Sequence, residues 1–187
     1  MLYARVKSFL VRFRDCRSGT ITVEAVIVVP LLFWALQATF EFFEIHRYQS
    51  VREKATYAVV DLISREQAPI DQPFLDGSKQ LFDDFTNDDG DNQLRISVIT
   101  YVADDDEYAV VWSQIRGIGP MIPLQTADVA TAHDTLPTLG NGRQVILVES
   151  WSNYQPGLSA GFETTVPVST RVFTSPRFVE QIRCPSC

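Results

Sequence analysis

Two short motifs carry residue types suited to covalent chemistry. GLSAG at 157–161 is a formal Gly-x-Ser-x-Gly, the turn that presents a serine nucleophile when a strand leads in and a helix leads out. Here Pro156 precedes it and the β-like TTVPVSTRVF follows. The base of such a triad would be a histidine after Ser159, but both histidines, His46 and His133, lie upstream. The segment reads as a glycine-rich turn, and no catalytic residue is assigned. CPSC at 184–187 has the Cys-x-x-Cys spacing of a redox dithiol, yet that chemistry uses a helix N-terminus to lower the thiol pKa. No helical segment follows Cys187. In an oxidising compartment the default for Cys184 and Cys187 is a small disulfide.

Metal chemistry is weaker still. Acidic residues cluster at Asp83–Asp84 and in NDDGDN, 87–92. Setting Gly90 at the sixth position of a calcium loop puts Phe85 at the first ligand position, where an acid is required. The cluster reads as a solvated turn. His133 has no partner at metal-ligand spacing. We therefore expect no metal, no cofactor and no enzyme activity.

The remaining chemistry is proteolytic. In RFRDCRSGTITVEAVIVVPLLFWAL, residues 12–36, a basic run ends at Gly19, and Glu24 stands at the head of an apolar stretch. The sixteen residues between Glu24 and Glu41 carry no charge, which is roughly 24 Å of helix. Such a run fits a secretory signal peptide, an ordinary signal anchor, or a prepilin. Glycine lets a peptide approach a protease closely. The basic segment, with Arg5, Lys7, Arg12, Arg14 and Arg17 against Asp15, would hold the N-terminus in the cytoplasm.

The core GTITVEAVIVVPLLF resembles that of the Tad (tight adherence) pilus minor subunits, the TadE/TadF-like pseudopilins. In these, Gly-x-x-x-x-Glu is followed by an aliphatic stretch containing proline. ESWSNYQPGL and VFTSPRF are similar to their C-terminal segments, more loosely. Ala25 follows the glutamate where relatives often carry a bulky residue. The resemblance implies a basic leader, residues 1–19, cut by a prepilin peptidase between Gly19 and Thr20. It implies that Glu24 pairs with the new Thr20 amine or that of a neighbouring subunit, setting register during assembly. The implied partners are the prepilin peptidase, other Tad pilus subunits, the inner-membrane assembly platform and membrane lipid. The implied location is the bacterial inner membrane, single-pass, with a cytoplasmic N-terminus and a periplasmic head.

These residues need elements to carry them. A helix from 20 to 66 would cross the membrane in its first half, with Pro30 removing one backbone hydrogen bond. Its second half places Tyr48, Val51, Ala55, Val59 and Leu62 on one stripe, with Arg52, Glu53 and Lys54 mainly off it. APIDQPFLDGSK, with Pro69, Pro73 and Gly77, reads as a linker. Period-two patterns follow at Leu94–Val102 and Tyr108–Ile115, joined by a DDDE turn, then RQVILVESWSNY and TTVPVSTRVF. Pro167 marks the last as an edge strand. A short helix is expected near 125–134. The fold class is thus α+β: a long N-terminal helix and a small antiparallel sheet in the head, 67–187. A formal charge of −7 argues against a nucleic-acid partner.

Overall fold

In the computed structural model, residues 20–87, 92–157 and 165–187 are described. The chain divides into two compact units at Phe43/Glu44. Helix α1, Thr20–Arg65, supplies residues to both. In the second unit there follow α2 (Gln72–Thr86), β1 (Asn92–Val102), β2 (Glu107–Gly117), the single-turn α3 (Thr126–Val129), β3 (Gln144–Tyr154) and β4 (Val166–Thr174).

The four strands form one antiparallel sheet in the order β2-β1-β3-β4. The expected hairpin is present, with Tyr101 opposite Tyr108. The register slips between Val98 and Ile99, leaving Val111 as the extra residue of a β-bulge. β4 lies at an edge, as Pro167 requires, because proline cannot donate to an inner ladder. Its residues alternate cleanly, with Val168, Thr170 and Val172 buried and Pro167, Ser169 and Arg171 exposed.

The sheet is buried on both faces at its centre. On one face Leu94, Ile96, Val98, Ile146 and Val148 pack with Ala55, Val59, Val60 and Ile63 of α1 and with Leu75 and Phe82 of α2. On the other, Ile99, Val145 and Leu147 pack with Val129 and Leu136 from the 118–142 connection. Two covered faces explain why β3 carries the unbroken apolar run VILV after Gln144 rather than an alternation. Each such side chain removed from water contributes about 1.5–3 kcal/mol.

The structure corrects two sequence expectations. Residues from 72 onward are not a linker but α2. Asp71 caps that helix through Oδ1, which accepts from the Phe74 amide at 2.9 Å. Pro73 falls in the first turn, where its missing N–H costs nothing. Gly77 has no neighbour within 4 Å of where a Cβ would sit, so it lies on the open side. The second correction concerns the stripe on α1. The buried positions are Arg52, Ala55, Thr56, Val59, Val60, Ile63 and Ser64, whereas Leu62 is exposed. Arg52 thus belongs to the packed face.

The buried polar residues of that face form a seam against β3 and β4. Arg52 Nε donates to Ser152 Oγ at 2.8 Å, and its guanidinium lies 3.1 Å from the centre of the Tyr48 ring. Thr56 Oγ1 donates to the Arg52 carbonyl and lies 2.8 Å from Thr170 Oγ1, which also meets Ser150 Oγ at 2.6 Å. Tyr48 donates to the Asn153 carbonyl and meets the Tyr154 ring edge-on at 5.0 Å. Buried hydroxyls are tolerated here because each has a partner.

Residues 175–187 contain no helix or strand, yet they close the head as a strap. Arg177 N donates to the Ser64 carbonyl, and Ile70 N donates to that of Arg183. The buried Ile182 accepts from Trp112 Nε1 at 3.2 Å and donates its own amide to Gln144 Oε1 at 2.7 Å. Gln72 Nε2 donates to the Ser186 carbonyl.

Candidate functional site

The candidate site begins at the head of α1. Thr20 is its first residue, and Glu24 follows one turn later, about 6 Å along the axis. Glu24 is exposed and has no ion-pair partner among the described residues. Gly19, Cys16 and the basic leader lie outside the described residues.

From Ile21 to Leu36 every residue of α1 is exposed, and so are Phe40, Phe42 and Phe43. The apolar side chains point in all directions; Val23, Val26, Ile27, Phe33, Trp34 and Leu36 are each more than half exposed. A helix apolar all round suits a hydrocarbon environment, not water. Residues 21–43 span about 35 Å, enough for a bilayer core of about 30 Å. Among the described residues, this is the one helix long and apolar enough to cross a membrane. It is compatible with a single-pass membrane anchor. Thr39 Oγ1 returns its proton to the Ala35 carbonyl at 2.8 Å, which keeps its hydroxyl satisfied without water. Pro30 lies within the helix and donates no backbone hydrogen bond.

In such surroundings Glu24 is the chemically conspicuous group. A lone carboxylate costs about 2.5–3.5 kcal/mol at a bilayer centre and less toward the interface, and a paired one costs less again. An amine one turn away, or one delivered by a neighbouring chain, would offset that cost.

At the other end of the sequence Cys184 and Cys187 are joined as a disulfide, their Cα atoms 5.3 Å apart. Cys187 N also donates to the Cys184 carbonyl, so the pair closes a four-residue turn with Pro185 in second position. The turn follows Arg183 and contains Ser186, and the carbonyls of these two residues accept from Ile70 N and Gln72 Nε2. The disulfide closes a loop within the strap, and the hydrogen bonds of Arg177, Ile182, Arg183 and Ser186 tie the strap to the head.

The other candidates of the sequence disperse. Residues 158–161 of GLSAG and 88–91 of the acidic loop lie outside the described residues. Asp83 is engaged with Lys79, whose Nζ sits 2.6 Å from both of its oxygens. His133 rests on the Tyr108 ring at 5.3 Å and His46 is exposed on α1; no described residues form a group able to hold a metal. One open hollow of about 640 Å³ is lined by Arg47, Tyr48, Arg52, Phe85, Asn153 and Tyr154 among others. Another, of about 530 Å³, lies between residues 66–69 and 179–183. Neither gathers an acid, a base and a nucleophile. Tyr101 has its phenol pushed above the usual range by its hydrogen bond to the Asp106 carboxylate, 2.7 Å away at the hairpin tip.

Arg52 is buried on the packed face of α1 although its charge argues for the exposed one. The one available signal was its spacing, three residues before Ala55 and seven before Val59, which its charge overrode. No family model matches the chain, and no curated protein or solved structure matches it at a significant level.

Proposed function

We propose that this chain is a non-enzymatic minor pilin of the TadE/TadF-like kind. A prepilin peptidase cuts it after Gly19, and it assists assembly or initiation of a Tad-type adhesive pilus. The observation that carries this reading is one juxtaposition. In the sequence Gly19 stands five residues before Glu24, and the apolar side chains that follow Glu24 on α1 are exposed all round. A signal anchor needs the apolar surface and the basic leader but has no use for a glycine and a glutamate at that spacing. The α+β head with its antiparallel sheet agrees with the same reading. In this account the head is periplasmic, the leader is cytoplasmic, and the exposed side chains of α1 meet lipid before assembly and other pilus subunits afterwards.

The test is the intact mass and N-terminal sequence of the protein extracted from its native membrane. The expected chain starts at Thr20. A chain starting at Met1 where a working prepilin peptidase is present would overturn the proposal in favour of a signal-anchored periplasmic binding domain. A start near Thr39 would instead mean a secreted soluble domain. For the assembly role, Glu24→Gln should weaken pilus assembly and leave membrane insertion intact. Normal assembly of that variant would remove Glu24 from the mechanism.

A further inference from the structure

Asn141–Gly142 is an asparagine–glycine pair in the exposed loop that leads into β3. This pair has chemistry of its own. Glycine has no Cβ to obstruct its amide nitrogen, so that nitrogen can reach the preceding side-chain amide. Asn87, Asn92 and Asn153 are followed by Asp88, Gln93 and Tyr154, which carry side chains.

In the fold, both reacting groups are engaged. The Ala103 amide donates to Asn141 Oδ1 at 3.0 Å. The Gly142 amide donates to the Tyr101 carbonyl at 2.9 Å, and the Tyr101 amide donates to the Arg143 carbonyl at 3.3 Å. These three bonds continue the β1–β3 ladder beyond its last regular pair, Thr100 with Gln144. Asn141 Oδ1 takes the place of a backbone carbonyl in the final rung. Gly142 sits at φ +70°, a conformation a larger residue would resist.

We propose that Asn141–Gly142 is a self-modification site that this clasp holds shut. When the clasp opens, the Gly142 nitrogen attacks Asn141 Cγ. The N–Cγ bond forms, the Cγ–Nδ2 bond breaks, and the proton lost by Gly142 leaves with Nδ2 as ammonia. The product is a succinimide. Water adds to either ring carbonyl and that C–N bond breaks, giving aspartate or isoaspartate at 141. No oxidant, metal or second protein is required. While the clasp is closed, the bond to Tyr101 fixes the Gly142 peptide plane and keeps its nitrogen from turning toward Cγ. The rate in the folded protein therefore reports opening at the end of β1, and the product adds a negative charge beside Asp104, Asp105 and Asp106.

The test ages the full chain in detergent, folded and in chaotrope, at one pH and temperature. Peptide mass spectrometry then counts amide-to-acid conversion at each asparagine. Asn141 should be the fastest site in the unfolded chain, and folding should slow it by at least about tenfold, the scale of a modest local opening equilibrium. Ala103→Pro removes the donor to Oδ1 and should return the folded rate toward the unfolded one. Equal or faster conversion in the folded wild-type chain would overturn the proposal. So would an unfolded chain in which Asn141 converts no faster than Asn153. Neither wild-type comparison depends on the variant folding.

Discussion

The two halves of α1 share a backbone conformation and differ in almost everything else. Residues 21–36 expose every side chain. From 52 to 64, seven positions in i, i+3, i+4 order are buried, and three of them are polar. The first half has no face because it meets one kind of surroundings on all sides. The second half has a sharp face because it meets a sheet on one side and water on the other. Helix propensity does not distinguish these cases; the distribution of polarity around the axis does. The comparison also shows that a buried stripe need not be apolar. Arg52, Thr56 and Ser64 are as buried as Val59, since each has its hydrogen bonds arranged by a neighbour.

The sharpest way to break this comparison is to shorten one apolar side chain in each half. Ile63→Ala, at 0% exposure, should lower the head's stability by about 2–5 kcal/mol in urea titration. Leu32→Ala should leave that titration unchanged, because the Leu32 side chain is exposed and shortening it opens no cavity. An equal loss from both would mean that the two halves share one core. Charge should produce the opposite pattern. Leu32→Arg should cost about 2.5–3.5 kcal/mol of membrane insertion, seen as a shift into the soluble fraction, and Tyr57→Arg on the exposed head face should not.

A smaller effect belongs to the strap. Reducing Cys184–Cys187 should destabilise the head by about 1–2 kcal/mol, since the closed loop is very short. Thermal unfolding with and without reductant measures it, and Ile182→Ala should cost more because it removes a core side chain.

The smallest effect is at the hairpin tip. The hydrogen bond to Asp106 favours the neutral Tyr101 phenol in the folded state and raises its pKa above the unfolded value. That contribution is present below the ordinary tyrosine pKa and disappears as pH rises through the raised one. Asp106→Asn should lower the phenolate midpoint in an ultraviolet titration. Asparagine tolerates the φ of +52° found there, so the turn itself should survive.

Much of the head was legible in the sequence because its elements carry period-two signals and strong turn residues. The hairpin around DDDE, the third strand and the edge position of β4 each follow from local rules. α2 is hidden because proline and glycine break a helix only at some positions, and composition does not reveal which. Pro73 in a first turn and Gly77 on an open face do not break a helix. Arg52 was hidden because its partners, Ser152 and the Tyr48 ring, become neighbours only when the sheet docks. The strap was hidden most completely. It has no period, and what fixes it is a set of single hydrogen bonds to residues far away in sequence. At the candidate site the order was reversed, since Gly19, Thr20 and Glu24 are recognised by spacing along the chain rather than by contacts in the fold.

The strap also sets a clock. Ile182 is tied to Trp112 across 70 residues, and Ser186 to Gln72 across 114. α1 is finished long before the segment that completes its core exists. At ordinary synthesis rates of about 5–20 residues per second, that interval is on the order of ten seconds. During it the core of the head lacks Ile182, and Trp112 Nε1 and Gln144 Oε1 lack the partners Ile182 supplies. The contacts that complete the core are therefore the last to become available, so the order of synthesis and the order of packing run in opposite directions along α1.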